Sequence, residues 1–174
     1  AVSGELPKPV KKPKMTSAFI GFSIAPRINA AGRISSAERA VELLLTENER
    51  EAREIAAGLC DINRDRQTEE NRIAEQAYDK IISECDIDSS SVIVLEADDW
   101  HHGVIGIVSS RITEKFGLPS ILISFEGADN DAVLDCDIGK GSGRSVKGIN
   151  LVDALVYCDD LLVRYGGHEL AAGL

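Results

Sequence analysis

A chain of 174 residues, 44% hydrophobic and 28% charged, holds enough material for one sizeable core, or one core and part of a second. No stretch approaches the ~18 apolar residues of a membrane span and no secretory signal pattern opens the sequence, so a transmembrane or exported class is set aside and the expected place is the cytoplasm. A net charge of −10 argues against broad, nonspecific attraction to nucleic acid, which depends on Lys and Arg neutralising phosphates.

Residues 1–17, with Pro7, Pro9 and Pro13 among Lys8, Lys11, Lys12 and Lys14, read as a basic, linker-like tail. Ala18–Ile24 is short and apolar, as a strand or a buried extended piece would be. Ala25–Arg33 reads as a loop carrying Arg27, Asn29 and Arg33, side chains suited to phosphate contacts. Ser35-x-x-Glu38 has the capping-box form and opens a helix with Ala40, Val41, Leu44 and Leu45 as its face. Thr46-x-x-Glu49 repeats the form and opens a helical stretch to about Glu84, roughly 55 Å long. Its ends are amphipathic (Ile55, Leu59, Ile62; then Ile73, Ala77, Ile81), but residues 63–72 between them offer almost nothing to bury. Such a centre either bridges two separately packed bodies through solvent or lies on a surface laced with ion pairs, and the pattern leaves both open. Cys60, Cys85, Cys136 and Cys158 are widely spaced with no C-x-x-C pair, and read as free thiols of a reducing compartment.

A βαβ unit follows: strand Val92–Leu95, helix Val104–Phe116 and strand Ile121–Phe125, with Gly117 as the helix stop and Pro119 beyond it. Where the first strand ends and the helix begins stand Trp100, His101 and His102. Ligands of open α/β sheets bind at such strand ends, and a helix start presents unpaired N–H groups to an anion. Asp98, Asp99, His101 and His102 are metal-ligand types, but adjacent histidines on an extended strand point to opposite faces, so no metal is assigned to them. Trp100 suits core packing or a base-stacking platform. Ala132–Ile138 alternates as a half-exposed antiparallel strand does. Gly139–Ser145 reads as a glycine-rich loop whose N–H groups, with Lys140, Ser142, Arg144 and Ser145, make an anion site. Residues 139–148 carry Lys140, Arg144 and Lys147 and no acid, whereas residues 86–137 are strongly acidic. The loop lacks the G-x-x-x-x-G-K-[ST] spacing of a nucleotide-triphosphate loop. A helix from about Asn150 ends at Gly166-Gly167, and His168 follows on a helix-to-strand turn. The predicted class is α/β: a long connecting helix followed by a mixed β-sheet domain flanked by helices.

Four stretches, in this order, resemble the RecJ exonucleases of the DHH phosphoesterase superfamily. They are A-P-R-I-N-A-A-G-R (25–33), W-H-H-G-V-I-G-I-V (100–108), G-S-G-R-S (141–145) and G-G-H-E-L-A-A-G (166–173). Ala25 stands where the family carries glycine, and Gly143 replaces a commoner small residue. The resemblance implies a tail over 1–17, a remnant of the DHH domain over 18–46, the connecting helix over 47–85 and a DHH-associated domain, truncated at its C-terminus, over 86–174. It implies a central piece of a single-stranded-DNA-specific exonuclease that hydrolyses phosphodiester bonds 5′→3′ by a two-metal mechanism. Mn²⁺ or Mg²⁺ would be bound by residues outside this sequence, because no Asp-His-His or Asp-x-Asp motif precedes the long helix, and Asp135-x-Asp137 lies on its wrong side. The piece alone is therefore predicted inactive, with no metal ligand of its own. Ser142 and Arg144, with Ser145 and Lys140 beside them, map onto the loop that receives the terminal 5′ phosphate. His168, behind Gly167, maps onto the histidine near the scissile phosphate. Arg27, Asn29 and Arg33 would contact the DNA backbone, with His101 and His102 lining the same cleft. Single-stranded DNA is the implied partner, with a single-stranded-DNA-binding protein or a helicase in the cell and no membrane. Two other classes fit the motifs: a DHH-family phosphodiesterase of oligonucleotides or nucleotides, and a non-catalytic nucleic-acid-binding module.

Overall fold

The computed structural model describes residues 14–125 and 138–174; the strand expected over Ala132–Ile138 lies, but for Ile138, outside the described residues, as does nearly all of the basic tail. In chain order the elements are α1 (Ser17–Phe19), a π-helical turn (Ile20–Ile24), α2 (Ala25–Ile34), α3 (Glu38–Leu45), α4 (Glu49–Glu84), β1 (Ile93–Ala97), α5 (Ile105–Phe116), β2 (Ser120–Ser124), β3 (Lys140–Arg144), α6 (Leu151–Val156), a 3₁₀ turn (Asp159–Leu161), β4 (Gly166–His168) and β5 (Ala171–Gly173).

The region expected to be strand and loop, Ala18–Arg33, is instead helical throughout. Thr16 Oγ1 accepts the Phe19 N–H at 3.1 Å and starts it. Pro26 does not break it, because proline is tolerated in the first turn of a helix and a wide π turn immediately precedes it. The two capping boxes do not form as spelled. Ser35 ends α2, and α3 starts from Ala37, with Ser36 Oγ accepting the Glu38 N–H at 3.2 Å. Asn48, a stronger cap than the threonine before it, accepts from the N–H groups of Arg50 and Glu51 and opens α4. Of the face expected for α3, only Ala40 is buried; Val41, Leu44 and Leu45 face outward.

α4 runs for 36 residues, about 54 Å, and belongs to a different core at each end. Ile55 and Leu59 pack with Ala31 and Ala40. Ile73, Ala74, Ala77 and Ile81 pack with Ile93, Leu95, Trp100, Val104, Val108, Ile112 and Leu122. The polar centre is not a bare span through solvent. The side chains of Arg66 and Glu70 are only 12% and 16% exposed and pair at 2.5 Å, and Glu70 also accepts from Arg111 of α5 at 3.1 Å. A helix without apolar residues at its middle has thus found a partner through charge.

The sheet has the order β1-β2-β3-β5-β4, with β1 and β2 parallel and the remaining pairs antiparallel. The βαβ unit forms as read, and Gly117 adopts the left-handed conformation (φ 69°) that closes α5. Residues 139–145, expected as a loop, include the central strand β3. Their glycines fit the sheet's packing: a Cβ at Gly141 would lie 2.6 Å from the Leu174 side chain, and one at Gly143 2.6 Å from that of Leu151. Leu151, Leu155 and Ala172 form a third small core on that face. The opposite face meets α5, where Ser109, Thr113 and Ser120 satisfy one another within 3.1 Å. α6 stops at Val156, short of the glycines expected to end it, since Cys158, Asp159 and Asp160 are poor helix formers and take the 3₁₀ turn. Gly166 and Gly167 open β4 instead, so His168 sits on an edge strand rather than in a helix-to-strand turn. Among the described residues no helix is long and apolar enough to cross a membrane, and Cys60, Cys85 and Cys158 are free.

Candidate nucleic-acid interface

Alternation along β3 puts Lys140, Ser142 and Arg144 on the face that meets α5. Arg144 donates from Nη1 to Ser142 Oγ at 3.2 Å and to the Gly143 carbonyl at 2.7 Å, which fixes its guanidinium beside the first turn of α5. Gly106 makes room for it there: a Cβ on Gly106 would meet Ser142 Oγ at 2.8 Å and Arg144 Nη2 at 3.1 Å. No side chain caps the start of α5; the His101 carbonyl accepts the Ile105 N–H at 3.2 Å instead, and the positive end of the helix dipole faces the same space.

Arg33 comes to this place from the other core. It donates from Nη1 to the Gly103 carbonyl at 3.2 Å, and the two backbones approach so closely that a Cβ on Gly103 would lie 2.1 Å from the Arg33 carbonyl oxygen. Arg144 is held below its ordinary pKa, first by burial and then by the Arg33 charge. Among the described residues neither guanidinium has a carboxylate partner. Two mutually repelling cations at the positive end of a helix have the chemistry to receive an anion.

The other predicted residues divide. His168 lies on the same row of the sheet as Arg144, through Ala171, and residues directly opposite share a face. It therefore looks out on Arg144's side, two strand spacings or about 10 Å away. Gly167 precedes it where a Cβ would run into Ala171 and Ala172 of β5. Lys140 is exposed at the far end of β3. Asn29 is exposed one helical turn from Arg33, in an open hollow of about 530 Å³ that Ile28 and Leu44 also line. Two residues face elsewhere. Arg27 turns toward α4, donating to Cys60 Sγ at 3.3 Å and to the Ser23 carbonyl. Ser145 Oγ donates to the Ile149 carbonyl at 2.8 Å and braces the turn after β3.

The histidine pair departs from the sequence reading. His101 and His102 are not on an extended strand; their rings stack at 5.1 Å and 21° in the turn after Trp100. His101 Nδ1 accepts the Gly103 N–H at 3.0 Å, so that nitrogen is committed to the turn. Trp100 is fully buried and donates to Gln76 Oε1 at 2.7 Å, which makes it core rather than a stacking platform. No group of three or more His, Cys, Asp or Glu suited to a metal occurs among the described residues.

Sequence reasoning missed the residues of α4 that hold this turn. Glu69 pairs with Arg72 at 2.6 Å, and Arg72 reaches Asp99 at 2.5 Å. Their only signal was a dense run of charge in a helix centre. The Arg72 guanidinium holds the Glu69 carboxyl below its ordinary value of 4.5; burial opposes this, and the N–H and charge of His101 assist it. A depressed carboxyl pKa contributes stability that is full above the unfolded value and is lost as pH falls through the folded one. Melting temperatures measured from pH 7 downward should therefore show Glu69→Gln below the wild-type chain at neutral pH, with the gap closing below pH 4.5. A constant gap across that range would refute the assignment.

Residues 89–174 match the DHHA1 domain model. The chain is 38% identical over 155 residues to the single-stranded-DNA-specific exonuclease RecJ of Bacillus subtilis, covering 89% of this chain and 19% of that protein. Among solved structures, RecJ from Thermus thermophilus in complex with Mg²⁺ superimposes with a TM-score of 0.73 at 37% identity, over 90% of this chain and 22% of that one. A RecJ exonuclease bound to manganese does so with a TM-score of 0.74 at 39% identity, over 91% and 37%. The chain thus spans roughly a fifth to just over a third of the proteins it matches. With a DHHA1 match over residues 89–174 and RecJ-like sequence along most of its length, the chain is similar to a part of the RecJ exonucleases.

Proposed function

We propose that this chain is the part of a single-stranded-DNA-specific exonuclease that receives the strand by its terminal 5′ phosphate. The observation that carries the reading is the meeting of Arg33 and Arg144, without a carboxylate partner among the described residues, at the start of α5. Ser142 adds a hydroxyl at 3.2 Å from Arg144. A phosphate monoester at a strand end carries more charge and more free oxygens than an internal phosphodiester, so such a pocket selects ends. His168, on the same face about 10 Å along the sheet, lies at the scale of one nucleotide from the captured end. In this reading it neighbours the bond that is cut, and cleavage proceeds 5′→3′, releasing one nucleotide at a time. Asn29 and Lys140 would meet the backbone at the pocket's margins; Arg27 and Ser145 act in the fold.

The family's divalent ions, Mn²⁺ or Mg²⁺, supply the activated water when bound. In this proposal their ligands lie in other parts of the enzyme. The chain's own contribution is to bind and orient the strand. A reducing cytoplasm, and a single-stranded-DNA-binding protein or helicase delivering the strand, complete the proposal.

The chain itself tests it. By fluorescence anisotropy it should bind a 5′-phosphorylated single-stranded oligonucleotide about tenfold more tightly than the 5′-hydroxyl form, a difference of about 1.4 kcal/mol. It should leave both undigested with Mn²⁺ present. Equal affinities would overturn the end-phosphate reading, and Mn²⁺-dependent digestion by this chain would overturn the division of labour.

A further inference from the structure

The pocket is assembled from two bodies. Arg33 stands on α2, packed with the first half of α4, while Ser142, Arg144 and α5 stand on the core of its second half. What sets their spacing is the turn 99–103, which brings Gly103 against Arg33 and delivers the chain into α5. Side chains hold that turn nearly atom by atom. The Asp99 carbonyl accepts from Arg72 Nη2 at 2.7 Å, the Trp100 carbonyl from Ser124 Oγ, and the Trp100 indole N–H goes to Gln76. The His101 N–H is taken by Glu69, and the Gly103 N–H by His101 Nδ1.

Arg72 is the centre of this arrangement. Its guanidinium bonds Glu69 at 2.6 and 2.9 Å, the Asp99 carboxylate at 2.5 Å and Gln76 Oε1 at 3.3 Å, besides the Asp99 carbonyl. Glu69, Arg72 and Gln76 lie at i, i+3 and i+7, so one stripe of α4 presents the whole set to the turn. A planar fork with five donors can bridge these acceptors at once, which a single ammonium cannot.

We propose that Arg72 is a positioning residue of the phosphate pocket: it fixes the turn 99–103 on α4 and thereby sets the distance between Arg33 and the start of α5. The assignment rests on the end-phosphate reading for its functional consequence, but its structural half stands apart. Trp100 is the only tryptophan of the chain, so its fluorescence reports the turn directly, without any DNA.

Two variants test the proposal in the 174-residue chain. Arg72→Met keeps the bulk of the stem and removes every donor; Asp99→Ala removes an exposed acceptor and is not expected to disturb folding. In Arg72→Met the acrylamide quenching constant of Trp100 should rise about twofold with far-UV circular dichroism unchanged. The preference for a 5′-phosphorylated over a 5′-hydroxyl oligonucleotide should fall about fivefold, while affinity for the hydroxyl form moves less than about twofold. Asp99→Ala should shift both readouts in the same direction by about half as much, and Arg72→Lys should fall between Arg72→Met and wild type. Should Arg72→Met fail to fold, Asp99→Ala decides the matter by the same two readouts. Unchanged quenching, or affinities for both oligonucleotides falling in parallel, would overturn the positioning role. If the unmodified chain shows no 5′-phosphate preference, the end-phosphate reading fails, and the quenching result still decides whether Arg72 holds the turn.

Discussion

Replacing Trp100 by alanine lowers the unfolding free energy by about 3–5 kcal/mol. The side chain has no exposed surface and belongs to the core that also holds Ile73, Ala77, Leu95, Val104 and Leu122, so its removal leaves a cavity that α4, β1 and β2 would have to collapse to fill. Domains of this size are stable by only about 5–15 kcal/mol, so the loss is a large fraction of the whole. The Gln76 acceptor keeps Arg72 as a partner, which places the main cost in packing rather than in an orphaned polar group. Trp100→Phe, which keeps a ring in the hole but not the N–H donor, should therefore cost much less, about 1–2 kcal/mol. Guanidinium denaturation followed by circular dichroism measures both. A Trp100→Ala variant within about 1 kcal/mol of wild type would mean that the turn is not packed against α4 as described.

The same residue shows what could be read from sequence and what could not. The βαβ unit was legible because each element carries its own signal: short apolar runs in β1 and β2, three-and-four spacing in α5, glycine at its end. The length of α4 was legible for the same reason. β3 was not, because K-G-S-G-R has the composition of a turn; its glycines answer to Leu151 and Leu174, side chains that arrive from far along the chain. The helical run through residues 17–34 was hidden by Pro26 and its neighbouring glycines, whose effect depends on a π turn that no periodicity announces.

For the candidate site the division is similar. Ser142 and Arg144 could be singled out from motif and local charge alone. That Arg33 would join them, and that Arg27 would not, depends on which side of α2 each residue occupies, and a segment read as a loop has no sides. The polar centre of α4 was read as having little to bury because hydropathy counts only one kind of burial. Glu69, Glu70 and Arg72 find their partners in Asp99, His101 and Arg111, contacts that exist only once the second core has brought them there. A charge run in a helix centre is thus a candidate interface as well as a candidate solvent face.

Replacing Arg144 by methionine should abolish the preference for a 5′-phosphorylated end, weakening binding of the phosphorylated oligonucleotide about tenfold, as the loss of a charge-assisted contact of about 1.5 kcal/mol would. Affinity for the 5′-hydroxyl oligonucleotide should stay within about twofold, because only the terminal phosphate occupies the pocket. Ser142→Ala, deleting one neutral hydroxyl, should cost about 1 kcal/mol or less. Arg33→Met should cost less than Arg144→Met. Arg33 is exposed, so solvent screens its charge more than that of the half-buried Arg144. The two arginines should also be non-additive: the double variant loses less than the sum of the singles, because each single change already removes part of the repulsion in the unbound state. Salt dependence separates this arrangement from general basicity. An acidic chain that neutralises one phosphate should show a slope of log K against log salt of about −0.7, and Arg144→Met should reduce its magnitude. A slope unchanged in Arg144→Met, with the end preference intact, would place the 5′ phosphate somewhere other than the start of α5.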